Sequence, residues 1–436
     1  MSNKTLYFYY FLLFLALALY TNMNASPNMV IRMGYLSALI APLANRKVLF
    51  PAIIICALGI SKNTFAYPLM PTEMIYYIIL ALAIAFWELY YRDFTTRINP
   101  LFCIVLIYVG LNDIAMQGEF SQMATIFFMC ILLFMCLEDD IDYGTEFLQI
   151  SFIIISLTIS YWVLFCPDAQ VNSYNKVDGV EQKGWSDPNY LSAALGTGLI
   201  IAVRNLLKGG NGLLYNSFLS LTILGSSIAM LLLASRGAIL SVIIATTALF
   251  VLSKTSFRTK IFALITAGLF LLFLYTNQYM DFLMARVEAD DGTGGHRTGI
   301  WQSKLHDFFL IENPQNWIFG VGQTEGAKLG SYLGSTVSVL STHNDYLSIL
   351  IYYGFIGIAF FLSIIAYPLR ICSKEERPYI IALLTYLLIC SMTIEPLAHG
   401  NFVYWGFLFY IMIYARQSRE LEVLHEEEEE IYDYEE

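Results

Sequence analysis

Residues Leu214 to Leu252 read LYNSFLSLTILGSSIAMLLLASRGAILSVIIATTALFVL, and Arg236 is the one charge in the stretch. Two apolar runs, 214–234 and 237–252, stand back to back around Ser235-Arg236-Gly237 with almost no loop between them. A hydrocarbon core about 30 Å thick needs about 20 apolar helical residues, and slightly fewer at the limit. Each run is therefore predicted to cross a bilayer as a helix, with the chain turning round at Arg236.

The same reading extends along the chain. Spans are predicted near 5–22, 29–44, 48–62, 74–91, 99–117, 122–137, 147–166, 189–206, 214–234, 237–252, 259–276, 345–368, 378–394 and 401–415. That is about 14 spans, or 12 to 13 if the short pair at 29–62 is miscounted. The composition agrees: 57% of the 436 residues are hydrophobic and 14% charged, where a soluble domain carries about 25% charged residues. The expected fold class is all-α, a polytopic membrane helical bundle with one long, partly helical outer loop. No soluble domain of globular size remains, and no nucleic-acid partner is expected. The first run, about Thr5 to Tyr20, could serve as a signal peptide, but no A-x-A pattern follows it and it is read as a span.

Charge is unevenly placed. The formal net charge is −11, yet Gln417 to Glu436 holds ten acids against one Arg, a net of −9, and leaves −2 for the rest. The run Glu426–Glu430 reads as a disordered, self-repelling tail. With the N-terminus inside, inner loops and tails hold fifteen Lys and Arg and the short outer loops five, the asymmetry expected of a cytoplasmic side. Both termini are then cytoplasmic. The chain divides into an N-terminal transmembrane bundle (1–276, about 11 spans), a long extracytoplasmic loop (277–344), C-terminal transmembrane helices (345–415) and an acidic cytoplasmic tail (416–436). The seven cysteines lie in apolar runs without C-x-x-C spacing, as core-like small hydrophobes do.

A loop as long as 277–344 in a membrane protein is usually functional. Arg297, Trp301, Lys304 and Phe308 fall at i, i+4, i+7 and i+11, so one face of a short helix carries two cations and two aromatics. Gly292–Gly295 breaks the chain before that helix and Asn313-Pro314 after it. His296, His306, His343 and His399 all fall on the outer side and put acid–base capacity there, while His425 sits in the tail. His343 opens His343-Asn344-Asp345-Tyr346-Leu347 where the loop re-enters the membrane. It could activate a hydroxyl nucleophile, or Asn344 or Asp345 could cap the helix with His343 incidental. Arg236 could snorkel to headgroups or present its planar fork to a diphosphate. Arg297 has the same chemistry, weighed against a solvated face.

Weaker signals are discounted. Gly320-Val321-Gly322 with Gly326 lacks a βαβ context and reads as a turn. Asp140-Ile141-Asp142 reads as a solvated acidic loop, and Glu288, Asp290 and Asp291 as a hydrated turn before a cation site. Arg32, Glu88, Asp113 and Glu395 fall near predicted span ends.

Taken in order, Ser235-Arg236-Gly237, Arg297 with Trp301, Gly320-Val321-Gly322, and His343-Asn344 followed by Leu347 and Gly354 resemble the O-antigen ligase/polymerase family of bacterial envelope glycosyltransferases. Asp187-Pro188-Asn189 before a span is a further shared feature, and the resemblance covers roughly 185–360. It implies a GT-C-type helical membrane architecture in the bacterial cytoplasmic (inner) membrane, with the long loop periplasmic. It also implies a metal-independent, inverting membrane glycosyltransferase that needs no cofactor. The donor would be a polyprenyl-diphosphate-linked oligosaccharide, the acceptor a glycan or lipid A-core, and membrane lipid and a chain-length regulator would be further partners. By the same resemblance, Arg236 and Arg297 would hold the diphosphate and stabilise charge on the leaving group. His343 would activate the acceptor hydroxyl, the remaining loop would close over the donor, and Asn189, Trp301, Lys304 and Asn344 would contact substrate.

Two reactions share this constellation. A polymerase joins one lipid-linked repeat to another; a ligase passes finished glycan to lipid A-core. The polymerase is preferred because each envelope glycan locus tends to need its own, whereas one ligase serves several. A lipid-linked glycan flippase or transporter is the distant alternative. It is disfavoured because transporters usually carry midplane ionisable groups and repeats, and no repeat is found here.

Overall fold

The computed structural model describes residues 100–121, 123, 124, 127, 141–165, 188–210, 212–288, 297–311, 313–330, 341–398 and 401–435. The spans expected before residue 99, and most of 122–137, lie outside these residues. Among the described residues there is no strand, and six helices are long and apolar enough to cross a membrane. The helices are numbered in chain order: α1 (Pro100–Gln117), α2 (Ile141–Phe165), α3 (Pro188–Lys208), α4 (Leu213–Leu233), α5 (Arg236–Leu252) and α6 (Phe257–Thr276). The long 277–344 segment supplies α7 (Asp281–Glu288), α8 (Arg297–Leu310), α9 (Pro314–Phe319) and α10 (Gly322–Lys328). Then come α11 (Asp345–Ile371), α12 (Arg377–Thr393) and α13 (Phe402–Glu435).

Apolar lipid gives helices little hydrophobic reason to associate, so close packing and interhelical hydrogen bonds must hold the bundle. The α2–α3–α4 unit shows both: the Ser156 hydroxyl donates to the Leu195 carbonyl at 2.9 Å, and Ser160 Oγ meets Ser226 Oγ at 3.4 Å. The apolar centre is filled by α13, where Trp405, Phe407, Phe409 and Tyr410 are all buried against α1, α2 and α11. By contrast α6 exposes nearly all of its apolar side chains, an arrangement that suits lipid and would be costly in water.

Two ends of the bundle are tied differently. At one end, Arg204 of α3 pairs with Glu376 at 2.7 Å, donates to the Tyr414 hydroxyl, and lies 4.9 Å and 5.3 Å from the Tyr379 and Tyr414 ring centres. Desolvated Arg with aromatic faces and a carboxylate is a strong combination, and it ties α3, α12 and α13 together. This is the end expected, from the charge asymmetry, to face the cytoplasm.

From this end α13 runs on through the acidic segment to Glu435, so the expected disorder of Glu426–Glu430 is corrected to helix. Glutamate is a good helix former, and the base of the extension is laced by Arg416–Glu420 at 2.9 Å and by Arg419–Glu422. Arg419 also holds the Glu422 carboxyl below its ordinary pKa.

At the other end the loop helices dock into a break in α11. Gly354 has φ 65° and ψ −165°, a conformation open essentially to glycine alone. There the helix ladder is interrupted, and the Ile351 carbonyl accepts instead from Val321 N–H at 2.9 Å. Gly320, at φ 83°, lies directly over Tyr352, and a Cβ at either glycine would strike the other segment's main chain. Gly320-Val321-Gly322 is thus the turn between α9 and α10, as read from sequence. It is further held by α1, whose Asn112 amide donates to the Phe319 carbonyl. Asp113 is wholly buried below, accepting from Ser121 N–H at 2.9 Å and from the Tyr353 hydroxyl at 3.0 Å. α9 and α10 are therefore sewn into the bundle, not draped over it.

Candidate active site at the loop end of the bundle

The α4–α5 reversal is built by Ala234 in the left-handed region (φ 48°) followed by extended Ser235. The Ser235 hydroxyl donates to Asn189 Oδ1 at 2.9 Å, fastening the reversal to the start of α3. Half-buried Arg236 follows, at the first turn of α5. Next to it, Gly237 lets α12 come so close that a Cβ there would collide with the Thr393 side chain. The Thr393 carbonyl, at the end of α12, accepts from Arg297 Nη1 at 2.6 Å. Arg297 of α8 thus bonds the C-terminal end of α12, and Arg236 is the sequence neighbour of the α5 glycine that packs against the same residue.

Two residues further on, Glu395 is wholly buried. Its carboxylate accepts from the Ser341 and Ser348 hydroxyls and from His343 N–H at 3.1 Å. Tyr190 of α3 donates to its carbonyl at 3.3 Å. His343 is half-buried and held at φ 49°, a conformation uncommon for a residue other than glycine. From the loop side, Trp301 Nε1–H donates to the Thr342 carbonyl at 2.7 Å and holds the peptide just before His343. Strained positions of this kind persist only when the surroundings fix them, and here Glu395, Ser341 and Trp301 do so.

The predicted site residues therefore fall into two groups. Arg297 and the His343 main chain bond Thr393 and Glu395 at the end of α12, while Asn189 and Trp301 bond the neighbours of Arg236 and His343, Ser235 and Thr342. Asn344 caps α11, its Oδ1 accepting from Leu347 N–H at 3.1 Å, which is the capping role weighed for it in the sequence. Lys304 points inward from α8, wholly buried, and its ammonium donates to the Gly326 and Ala327 carbonyls at 3.2 Å each. Burial pushes that ammonium below its ordinary pKa. The expected helix at Arg297 is found, with Lys304 and Phe308 on its buried face and Asn313 capping the next helix at Pro314. His306 is exposed beside Asp307, while His296 and His399 lie outside the described residues.

From the sequence, Glu395 was placed only near a span end and Asp345 only as a possible helix cap, and neither was assigned to the site. Asp345 is wholly buried and accepts from Leu397 N–H at 3.0 Å and Ala398 N–H at 2.8 Å. Glu395-Pro396, an acid and a proline beyond a span in a chain with few charges, was the available signal. What the arrangement offers chemically is two guanidinium groups and one imidazole at one end of a membrane bundle. Such cations suit an anionic, phosphate-bearing ligand.

These features define a multi-pass helical membrane protein with its cationic site at the loop end of the bundle. Residues 221–362, about a third of the chain, match the model of the O-antigen ligase family, which supports the O-antigen ligase/polymerase family for this chain. The match also supports an envelope glycosyltransferase of the ligase or polymerase type, for which the family implies a lipid-linked glycan donor and an acceptor in the membrane. It runs from α4 to the middle of α11 and takes in Arg236, Arg297 and His343. No curated protein matches the chain.

Proposed function

We propose that this protein is a surface-polysaccharide polymerase of the bacterial inner membrane. In this reading it transfers a glycan from a polyprenyl-diphosphate-linked donor to a sugar hydroxyl on an acceptor glycan, with inversion. One observation supports the reading: Gly237 beside Arg236, the Arg297 side chain and the main chain of His343 come from three separate parts of the chain and meet the same stretch, Thr393 to Glu395.

The acceptor oxygen forms the new bond to the anomeric carbon on the face opposite the diphosphate, whose C–O bond breaks as the polyprenyl diphosphate leaves with the electron pair. The hydroxyl proton passes to the His343 imidazole. Arg236 and Arg297 stabilise the charge gathering on the departing diphosphate. Both termini are cytoplasmic and the loop 277–344 is periplasmic, in keeping with the surplus of Lys and Arg in the opposite loops. Asn189 and Trp301 hold the Arg236 and His343 segments; Lys304 and Asn344 support α10 and α11.

Deleting the gene and running envelope glycans on a gel tests this. Polymerase function predicts that a single repeat unit remains on lipid A-core. Complete loss of glycan from lipid A-core, with lipid-linked polymer accumulating, assigns ligase activity instead. Polymer trapped inside the cell, with transfer intact in extracts, overturns both in favour of a flippase.

A further inference from the structure

Two short segments meet at the site in a crossed pair of contacts. His343 N–H donates to the Glu395 carboxylate at 3.1 Å. In the reverse sense, Leu397 and Ala398 N–H donate to the Asp345 carboxylate at 2.8–3.3 Å. Asp345 lies two residues after His343, and Leu397 two after Glu395. Each segment thus lends a carboxylate to the main chain of the other.

Asp345 is not needed as a helix cap, because Asn344 already fills that place. A wholly buried carboxylate in a membrane bundle is costly unless its donors repay it. Two of its donors are the Leu397 and Ala398 N–H groups of the very turn that presents Glu395. That turn is held from its other side by Trp405 Nε1–H on the Leu397 carbonyl at 3.0 Å.

We infer that Asp345 is a positioning residue: it clamps the 396–398 turn so that Glu395 stays against the peptide of His343 and keeps the imidazole where transfer needs it. The inference rests on the transfer reading given above. Without the clamp the turn loosens, Glu395 leaves the His343 peptide, and the unusual backbone of His343 relaxes. Donor binding, assigned to the two arginines, is left in place.

The test is a double-mutant cycle in purified protein, using as donor the lipid-linked oligosaccharide extracted from cells lacking the gene. Asp345→Asn, which keeps one acceptor oxygen, and Asp345→Ala are each compared with Glu395→Gln and with the doubles. The expected result is a kcat about ten- to a hundredfold lower with KM changed by no more than about twofold, the size of loss that a misplacement of about 1 Å produces. Asn retains more activity than Ala. In the Glu395→Gln background the Asp345→Asn loss largely disappears, because both act through one contact. Independent, multiplying losses overturn the inference, as does a rise in KM with kcat unchanged. Failure of both Asp345 variants to accumulate in membranes also overturns it, by assigning the residue to folding. His343→Ala in the same assay separates the two levels. If it is active, the transfer reading falls and takes this inference with it; if it is inactive while the cycle is additive, only the inference falls.

Discussion

Replacing Gly354 by Ala attacks the contact that seats the loop helices. The native backbone there (φ 65°, ψ −165°) is one that an L-residue occupies at a cost of about 1–3 kcal/mol. The new methyl group would also strike the Ile318 carbonyl, which belongs to helix backbone and has little freedom to give way. If α9 backs off, the bond from Val321 N–H to the Ile351 carbonyl goes with it, a further cost of about 1 kcal/mol. The expected loss is about 2–4 kcal/mol, seen as a lower unfolding midpoint in detergent micelles followed by tryptophan fluorescence. Trp317, in the loop helix that must move, is a local reporter. Gly268→Ala is the matched control: it lies inside α6 with nothing within 4 Å of the added methyl. There helix propensity alone favours Ala, by up to about 1 kcal/mol. Equal midpoints for the two variants would refute the claim that the break in α11 requires glycine.

Arg297→Ala and His343→Ala should each abolish glycan transfer at normal membrane levels, and Arg297→Lys should be impaired because an ammonium lacks the two-pronged fork; full transfer in any of them sinks the role assigned. Asn344→Ala should lower stability by about 1 kcal/mol through loss of the cap, and Asn344→Ser should recover most of it; equal unfolding midpoints for the two would argue for a substrate contact instead. For Lys304 the folded state holds the proton less tightly than the unfolded chain, so stability gains as pH rises from the depressed folded pKa to the ordinary 10.5. The unfolding midpoint of the wild type relative to Lys304→Met should therefore climb as pH rises towards 10.5, and a flat difference would contradict the burial argument.

The helices were legible because apolar runs of bilayer length leave few alternatives. The reversal at Arg236 and the loop helix at Arg297 were legible for the same reason: turn residues and periodicity are local signals. The acidic tail was misread because charge repulsion was weighed and helix propensity was not, although Glu420 and Glu422 stand four and three residues from arginines. The burial and partners of Glu395, Asp345 and Asp113 were not legible from their places near span ends or at a helix start. An acid near a span end looks the same whether it faces headgroups or turns inward. Only the arrival of Ser341, Ser348 or the Leu397 amide from elsewhere in the chain decides the matter. Gly354 was noted in the sequence, but nothing local distinguishes a glycine that packs in a helix from one that breaks it.

Five of the bonds that join distant segments at the loop end share one property. Arg297 to Thr393, Trp301 to Thr342, Asp345 to Leu397 and Ala398, and Glu395 to His343 all pair a side chain with a main-chain group. A peptide group is supplied by any residue type, or by any but proline where it must donate. Positions 342, 393, 397 and 398 can therefore drift while their partners at 301, 297 and 345 stay fixed. Coupled substitution between aligned relatives would leave little trace of these contacts, however strongly the assembly depends on them. The joints of this site would show up in mutational scans as single intolerant positions whose partners tolerate exchange.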